Sequence, residues 1–218
     1  MTDDPATEPL AARRAAARRR RRIIGAGHAG QEQTARRGLG DKDPDVQAAA
    51  LGALARSGTL TVPDIARALE SDAVPLRRRA PDAALSVRGP GSRSTLHALV
   101  IGALADPDPL VVVAAAWFLG ERRVRAGVDV LAQVALAHPD TRCRESAVAA
   151  LGAIGDPDGL PAVLAALDDK PTVRRRATVA LAAFEDPRAE AALRRSAEDR
   201  DWQVRQAADE LRGDEDDD

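Results

Sequence analysis

One register recurs along the whole chain and limits it to a stacked helical array. The sequence aligns on six anchors, Val46, Leu76, Val111, Cys143, Val173 and Val204, spaced by 30, 35, 32, 30 and 31 residues. Four residues after every anchor stands an alanine: Ala50, Ala80, Ala115, Ala147, Ala177 and Ala208. Seven or eight residues after it come Leu54, Ala83 with Ala84, Leu119, Leu151, Leu181 and Leu211. At about 100° per residue, places 0, +4, +7 and +8 form one stripe of an α-helix, so each copy holds an amphipathic helix. The alanine at +4 suits a close helix crossing, where a larger side chain would push neighbours apart.

Turn signals precede the anchors: DKDPD before Val46, ADPDP before Val111, HPDT before Cys143, DDKP before Val173 and EDRDW before Val204. Acidic residues and proline there cap a helix N-terminus and suit its positive dipole end. Second apolar segments at 61–71, 94–105, 127–138, 159–169 and 189–199 read as partner helices. Two short helices per copy cannot bury their faces alone, so neighbouring copies must stack into a solenoid. Composition agrees: aromatics make up 2 %, tyrosine is absent, and alanine supplies most of the apolar content, which favours closely approaching helices over a sheet sandwich.

The stretches DKPTVRRRATVALAAFEDP and DRDWQVRQAADELRG resemble HEAT repeats of the short bacterial kind, the PBS-lyase HEAT-like repeats, and the resemblance spans roughly residues 31–213. It implies an all-α, right-handed α-solenoid of about six two-helix repeats. No single function follows, because that family serves scaffolds, inhibitors, DNA-binding glycosylases and chromophore lyases alike. Pro81 inside the second copy and the insertion SVRGPGSRST at 86–95 depart from the pattern. Residues 1–30 read as a basic N-terminal arm or a half-repeat cap. The cap is preferred, since Ile23 and Ile24 point to a packed helix followed by QEQTARRGL at 31–39. Residues 214–218, all acidic, read as a disordered tail.

The arginines divide by register. Place +1 holds Arg77, Arg144, Arg174 and Arg205, and the resemblance implies that these brace one repeat against an aspartate of the next. Place +2, nearly opposite the apolar stripe, holds Ala48, Arg78, Val113, Glu145, Arg175 and Gln206 and faces solvent. Glu145 interrupts any continuous basic row, and the net charge of −2 leaves the body of the chain near neutral once the arginine-rich start and the acidic end are set aside. Both observations count against nucleic acid as the favoured partner.

The third copy breaks the amphipathic rule: from Leu110 to Leu119 it has no polar side chain. Such a helix is buried all round, covered by the 86–95 loop or a second chain, or exposes a patch for a partner. The candidate partner site is therefore Val112, Val113, Ala116 and Trp117, rimmed by Arg78 and Glu145. A nucleic-acid alternative of the glycosylase-like type would use Arg18, Arg19, Arg20, Arg21, Arg22, Arg79, Arg175 and Arg176, with Trp117 or Trp202 pressing on a nucleotide and Asp82 stabilising cationic sugar character.

Enzyme readings find little support. His28, His97 and His138 are not paired with glutamate as a carboxylate-bridged metal site requires. Cys143 takes an anchor place and reads as a packing thiol. Trp202 precedes an anchor by two residues and reads as packing at a helix start. The cluster GAGHAG at 25–30 follows a helical pattern instead of a strand, so it reads as a helix end and not a phosphate loop. The expectation is a non-enzymatic protein-binding scaffold with no cofactor. A HEAT-like lyase or hydroxylase homologue without an identifiable active site is the remaining alternative. One cysteine, no run approaching a membrane span of roughly 18 apolar residues, and no apolar leader point to the cytoplasm. Thirty arginines against Lys42 and Lys170 suggest a bacterial, high-GC coding bias.

Overall fold

The computed structural model describes residues 10–88 and 92–213, and the tail at 214–218 lies outside the described residues. The chain is an all-α repeat solenoid, with no strand among the described residues. It divides into two compact units, residues 1–96 and 97–218. No helix among the described residues is long and apolar enough to cross a membrane.

The first unit holds α1 (Leu10–His28), α2 (Glu32–Gly38), α3 (Pro44–Ser57), α4 (Val62–Leu69) and α5 (Val74–Ala84). Helices α1, α3 and α5 pack side by side as one layer, and α2 and α4 form the other. Helix α6 (Ser92–Gly102) carries the boundary between the units. The second unit continues with α7 (Pro109–Glu121), α8 (Val128–Ala137), α9 (Thr141–Ile154), α10 (Leu160–Ala165), α11 (Pro171–Leu181), α12 (Pro187–Ser196) and α13 (Trp202–Gly213). Here α7, α9, α11 and α13 form one layer and α8, α10 and α12 the other.

All six anchors and all six +4 alanines are buried, and so are the +7/+8 residues except Leu211, which no later helix covers among the described residues. Acidic turns close the N-termini ahead of four of the anchors and at α12, whereas the turn before Val173 puts Lys170 at the N-cap with no side-chain bond to the helix. Asp43 accepts from the Asp45 and Val46 amides, and Asp108, Asp140, Asp186 and Asp201 accept from Leu110, Arg142, Arg188 and Gln203 at 2.7 to 3.0 Å. Helix α5 runs through Pro81, whose ring is buried at the +5 place.

Glycines make close helix approaches, one of them against a +4 alanine: a Cβ on Gly38 would stand 2.8 Å from Ala50 Cβ. A Cβ on Gly152 would stand 2.7 Å from Ala180 Cβ and 2.9 Å from its Cα, and one on Gly120 would stand 3.1 Å from Ala150 Cα. Glycine at +9 thus lets one copy's backbone approach the +7 alanine of the next. Gly27 in α1 meets Ala53 in the same way at 2.7 Å. Residues Ala16, Ile23, Ala26 and Gly27 of α1 are buried, whereas Ile24 is exposed.

Candidate functional site

Arg144 and Arg174 form braces as the resemblance implies. Arg144 forks onto Asp169 at 2.6 and 2.8 Å and donates to the His138 and Pro139 carbonyls. Arg174, buried, forks onto Asp199 at 2.9 and 2.8 Å and donates to the Asp169 carbonyl. Each aspartate sits in the turn before the next anchor. The guanidinium bonds hold Asp169 and Asp199 below the usual carboxylate range, against the opposing effect of burial. Arg77 donates to the Ser71 and Asp72 carbonyls. Arg205 makes only this local half, donating to the Asp199 and Arg200 carbonyls, and pairs with no carboxylate among the described residues.

Sequence reasoning missed a further brace. Arg19 forks onto Asp41 at 2.8 and 3.1 Å, so it is committed to the fold and is corrected from the set of anion-contacting arginines. Arg19 and Gly27 stand at +1 and +9 of a degenerate copy in α1, whose anchor place is taken by Arg18. The signal available in the sequence was an aspartate ahead of Val46 and a glycine eight residues after Arg19. Arg36 adds a cross-brace, reaching Asp64 at 3.1 Å and Glu32 at 2.8 Å.

Helix α7 settles the apolar third copy. Leu110, 38 % exposed, and Trp117, 46 % exposed, flank half-buried Val113 on one surface stripe. Val112 and Ala116 are fully buried and are corrected from the candidate site. Their places explain it. The +1 place is turned inward, where Arg174 is buried too, and +5 is core in Leu51, Pro81, Val148 and Thr178 as well.

Val113 and Trp117 open onto a groove of about 350 Å³ between α7 and α9. Its floor is Gly120, Ala149, Ala150 and Ala153, small side chains that leave the depression open; its rim is Glu121, Glu145 and Arg176. Arg176 is held by Glu145 at 3.5 Å. Of the expected rim pair, Glu145 lines this groove, and Arg78 is a residue of the first unit.

The arginines proposed for anionic contact separate further. Arg18, Arg20, Arg21, Arg22 and Arg175 are exposed, Arg176 meets Glu145, and Arg79 meets Asp82 at 2.7 Å, which occupies the carboxylate the glycosylase-like reading needed. Trp202 is 61 % exposed, so it does not pack at its helix start as expected. Cys143 is buried with its thiol 3.4 Å from the Pro109 carbonyl, and burial pushes its pKa up to about 11. His138 accepts from the Asp140 amide through Nδ1, and His97 meets Phe118 edge-on at 6.2 Å. Among the described residues no three His, Cys, Asp or Glu side chains converge as metal ligands would. Gly25 to His28 complete α1 and Gly30 adopts φ +65°, the helix-ending role expected of GAGHAG.

The model for HEAT repeats matches residues 96–182, and that for the PBS lyase HEAT-like repeat matches residues 173–199. No curated protein matches the sequence significantly. Among solved structures, an engineered protein is 18 % identical with a TM-score of 0.59, covering 83 % of this chain and 94 % of its own. The complex of CpcE and CpcF of phycocyanin lyase from Nostoc sp. PCC7120 gives 24 % identity and a TM-score of 0.58, with 81 % of this chain and 74 % of that one covered. At such identities the likeness establishes the fold alone.

Proposed function

The chain is a HEAT-repeat protein of the PBS-lyase HEAT-like class, and from that premise we propose that it is a non-enzymatic interaction module holding a partner protein segment in the α7–α9 groove. The observation that carries this reading is Trp117, a large aromatic left 46 % exposed beside Val113 at the mouth of a groove floored by glycine and alanine. Aromatic side chains next to a small-residue depression are the usual anchors of protein interfaces. The occupant is a segment with one apolar side chain seated over Ala149 and Ala153 and a basic group facing exposed Glu121.

The test replaces Trp117 by a photo-crosslinking phenylalanine analogue in the full chain and exposes it to extract of the native host. One discrete protein is expected, its capture abolished by Val113→Asp. In binding to that protein, Trp117→Ala is expected to lose about 2 kcal/mol, near thirtyfold in affinity, with thermal unfolding unchanged. A collapsed fold in Trp117→Ala would make the residue core, and crosslinks indifferent to Val113→Asp would remove the groove as the site.

A further inference from the structure

The layer formed by α1, α3 and α5 in the first unit carries a second groove of the opposite chemistry. Two depressions of about 580 and 430 Å³ share Arg20, Ile24 and Asp45 as lining and so form one continuous channel. Arginines come from all three helices: Arg20 and Arg21 from α1, Arg56 from α3, and Arg79 from α5. Arg20, Arg21 and Arg56 are exposed and make no ion pair among the described residues. The contrast with Arg19, Arg36, Arg144 and Arg174, which all meet carboxylates, marks these three as cations whose charge the fold does not use. The lining carboxylates are Asp43, already bonded to two amides at the start of α3, and Asp45.

The floor between the arginines is apolar: Ile24, Ala48, Ala49 and Pro75. From this combination we propose that the α1–α3–α5 groove docks an acidic amphipathic segment of a partner protein. Carboxylates of the segment fork onto Arg20, Arg21 and Arg56, and its apolar side chains lie on Ile24 and the alanines. The pairing of cationic walls with an apolar floor complements carboxylate and aliphatic side chains together, which a phosphodiester backbone does not offer. Residues 1–96 contain no phenylalanine, tyrosine or tryptophan to serve as a stacking platform for bases. Asp45, placed where the two depressions join, can accept a peptide N–H, whereas it repels a phosphate, which offers no donor. This site is independent of the Trp117 groove.

Fluorescence anisotropy on the full chain tests it with a labelled helical peptide bearing Leu on one face and Glu on the other. Comparison probes are its Glu→Gln analogue, an all-Glu peptide and duplex DNA at equal salt. The amphipathic acidic peptide is expected to bind at least about tenfold more tightly than any of the three, and Arg20→Glu with Arg56→Glu to weaken it by about tenfold or more. Arg20→Gln with Arg56→Gln gives a smaller loss in the same direction, and circular dichroism melting confirms that both variants are folded. Arg188→Glu, on α12 of the second unit, leaves binding unchanged. Equal or tighter binding of DNA, equal binding of the Gln analogue, or indifference to the Arg20 and Arg56 variants would overturn the proposal. So would concentration-dependent self-association that disappears when residues 214–218 are deleted, since the occupant would then be a second copy of this chain.

Discussion

Arg174 is 4 % exposed and is held by two bonds to Asp199, while Arg188 makes the same two-point bond to Asp186 at the surface. Identical chemistry at different depth has different consequences. Exposed ion pairs exchange one hydrated state for another, whereas a buried guanidinium leaves behind an uncompensated carboxylate and a void when it is truncated. Arg174→Ala is therefore expected to cost about 3 kcal/mol in urea unfolding, and Arg188→Ala to leave the midpoint where it was. Equal losses would contradict the brace. The register placed Arg144 and Arg174 at a recurring +1 place, and the resemblance to HEAT-like repeats implied that they brace. Arg19 was hidden for a physical reason: the anchor place of its copy carries a charge, Arg18, so the stripe that fixes the register is missing there.

At the level of the helix, the small residues decide how closely copies stack. Gly152→Ala would push a Cβ to 2.7 Å from Ala180 Cβ and 2.9 Å from its Cα, and neither atom can rotate away. A loss of about 1–3 kcal/mol is expected from the forced separation of α9 and α11. Gly25→Ala in α1 has nothing within 4 Å and is expected to be neutral or stabilising, since alanine is the better helix former. Thermal melts of the two variants side by side check the assignment, and a neutral Gly152→Ala would refute the close crossing. Nearly every helix was legible from the spacing of anchors and caps, because burial of one stripe imposes the period. The surface stripe Leu110, Val113 and Trp117 was legible only in part. A helix with no polar side chain gives no wheel by which to tell core from surface, so the buried Val112 and Ala116 could be sorted only from the same places in the other copies.

Across the molecule the chemistry is divided between the units. Both tryptophans and both phenylalanines fall after residue 96, whereas the arginine-lined channel lies before it. The carboxylate braces are shared: Asp41 and Asp64 stabilise the first unit, Asp169 and Asp199 the second. Bonds from Arg19, Arg144 and Arg174 hold Asp41, Asp169 and Asp199 below the usual range. Asp64 is pushed up by burial, but the Thr61 hydroxyl and amide and Arg36 outweigh that and bring it below as well. A carboxyl whose folded pKa is lower than its unfolded value near about 4 contributes its full stability above that value and loses it as pH falls through the folded one. The melting temperature is therefore expected to hold steady from neutral pH down to about 5 and to drop below about 4. Far-UV circular dichroism follows the helices of both units, while tryptophan emission reports only the second, through Trp117 and Trp202. Since braces of one kind serve both units, the two signals are expected to fall in the same acid window, and Asp169→Asn to flatten the acid slope of the emission signal. A melting temperature that stays level or rises as the carboxyls protonate would show that these aspartates do not hold the repeats together.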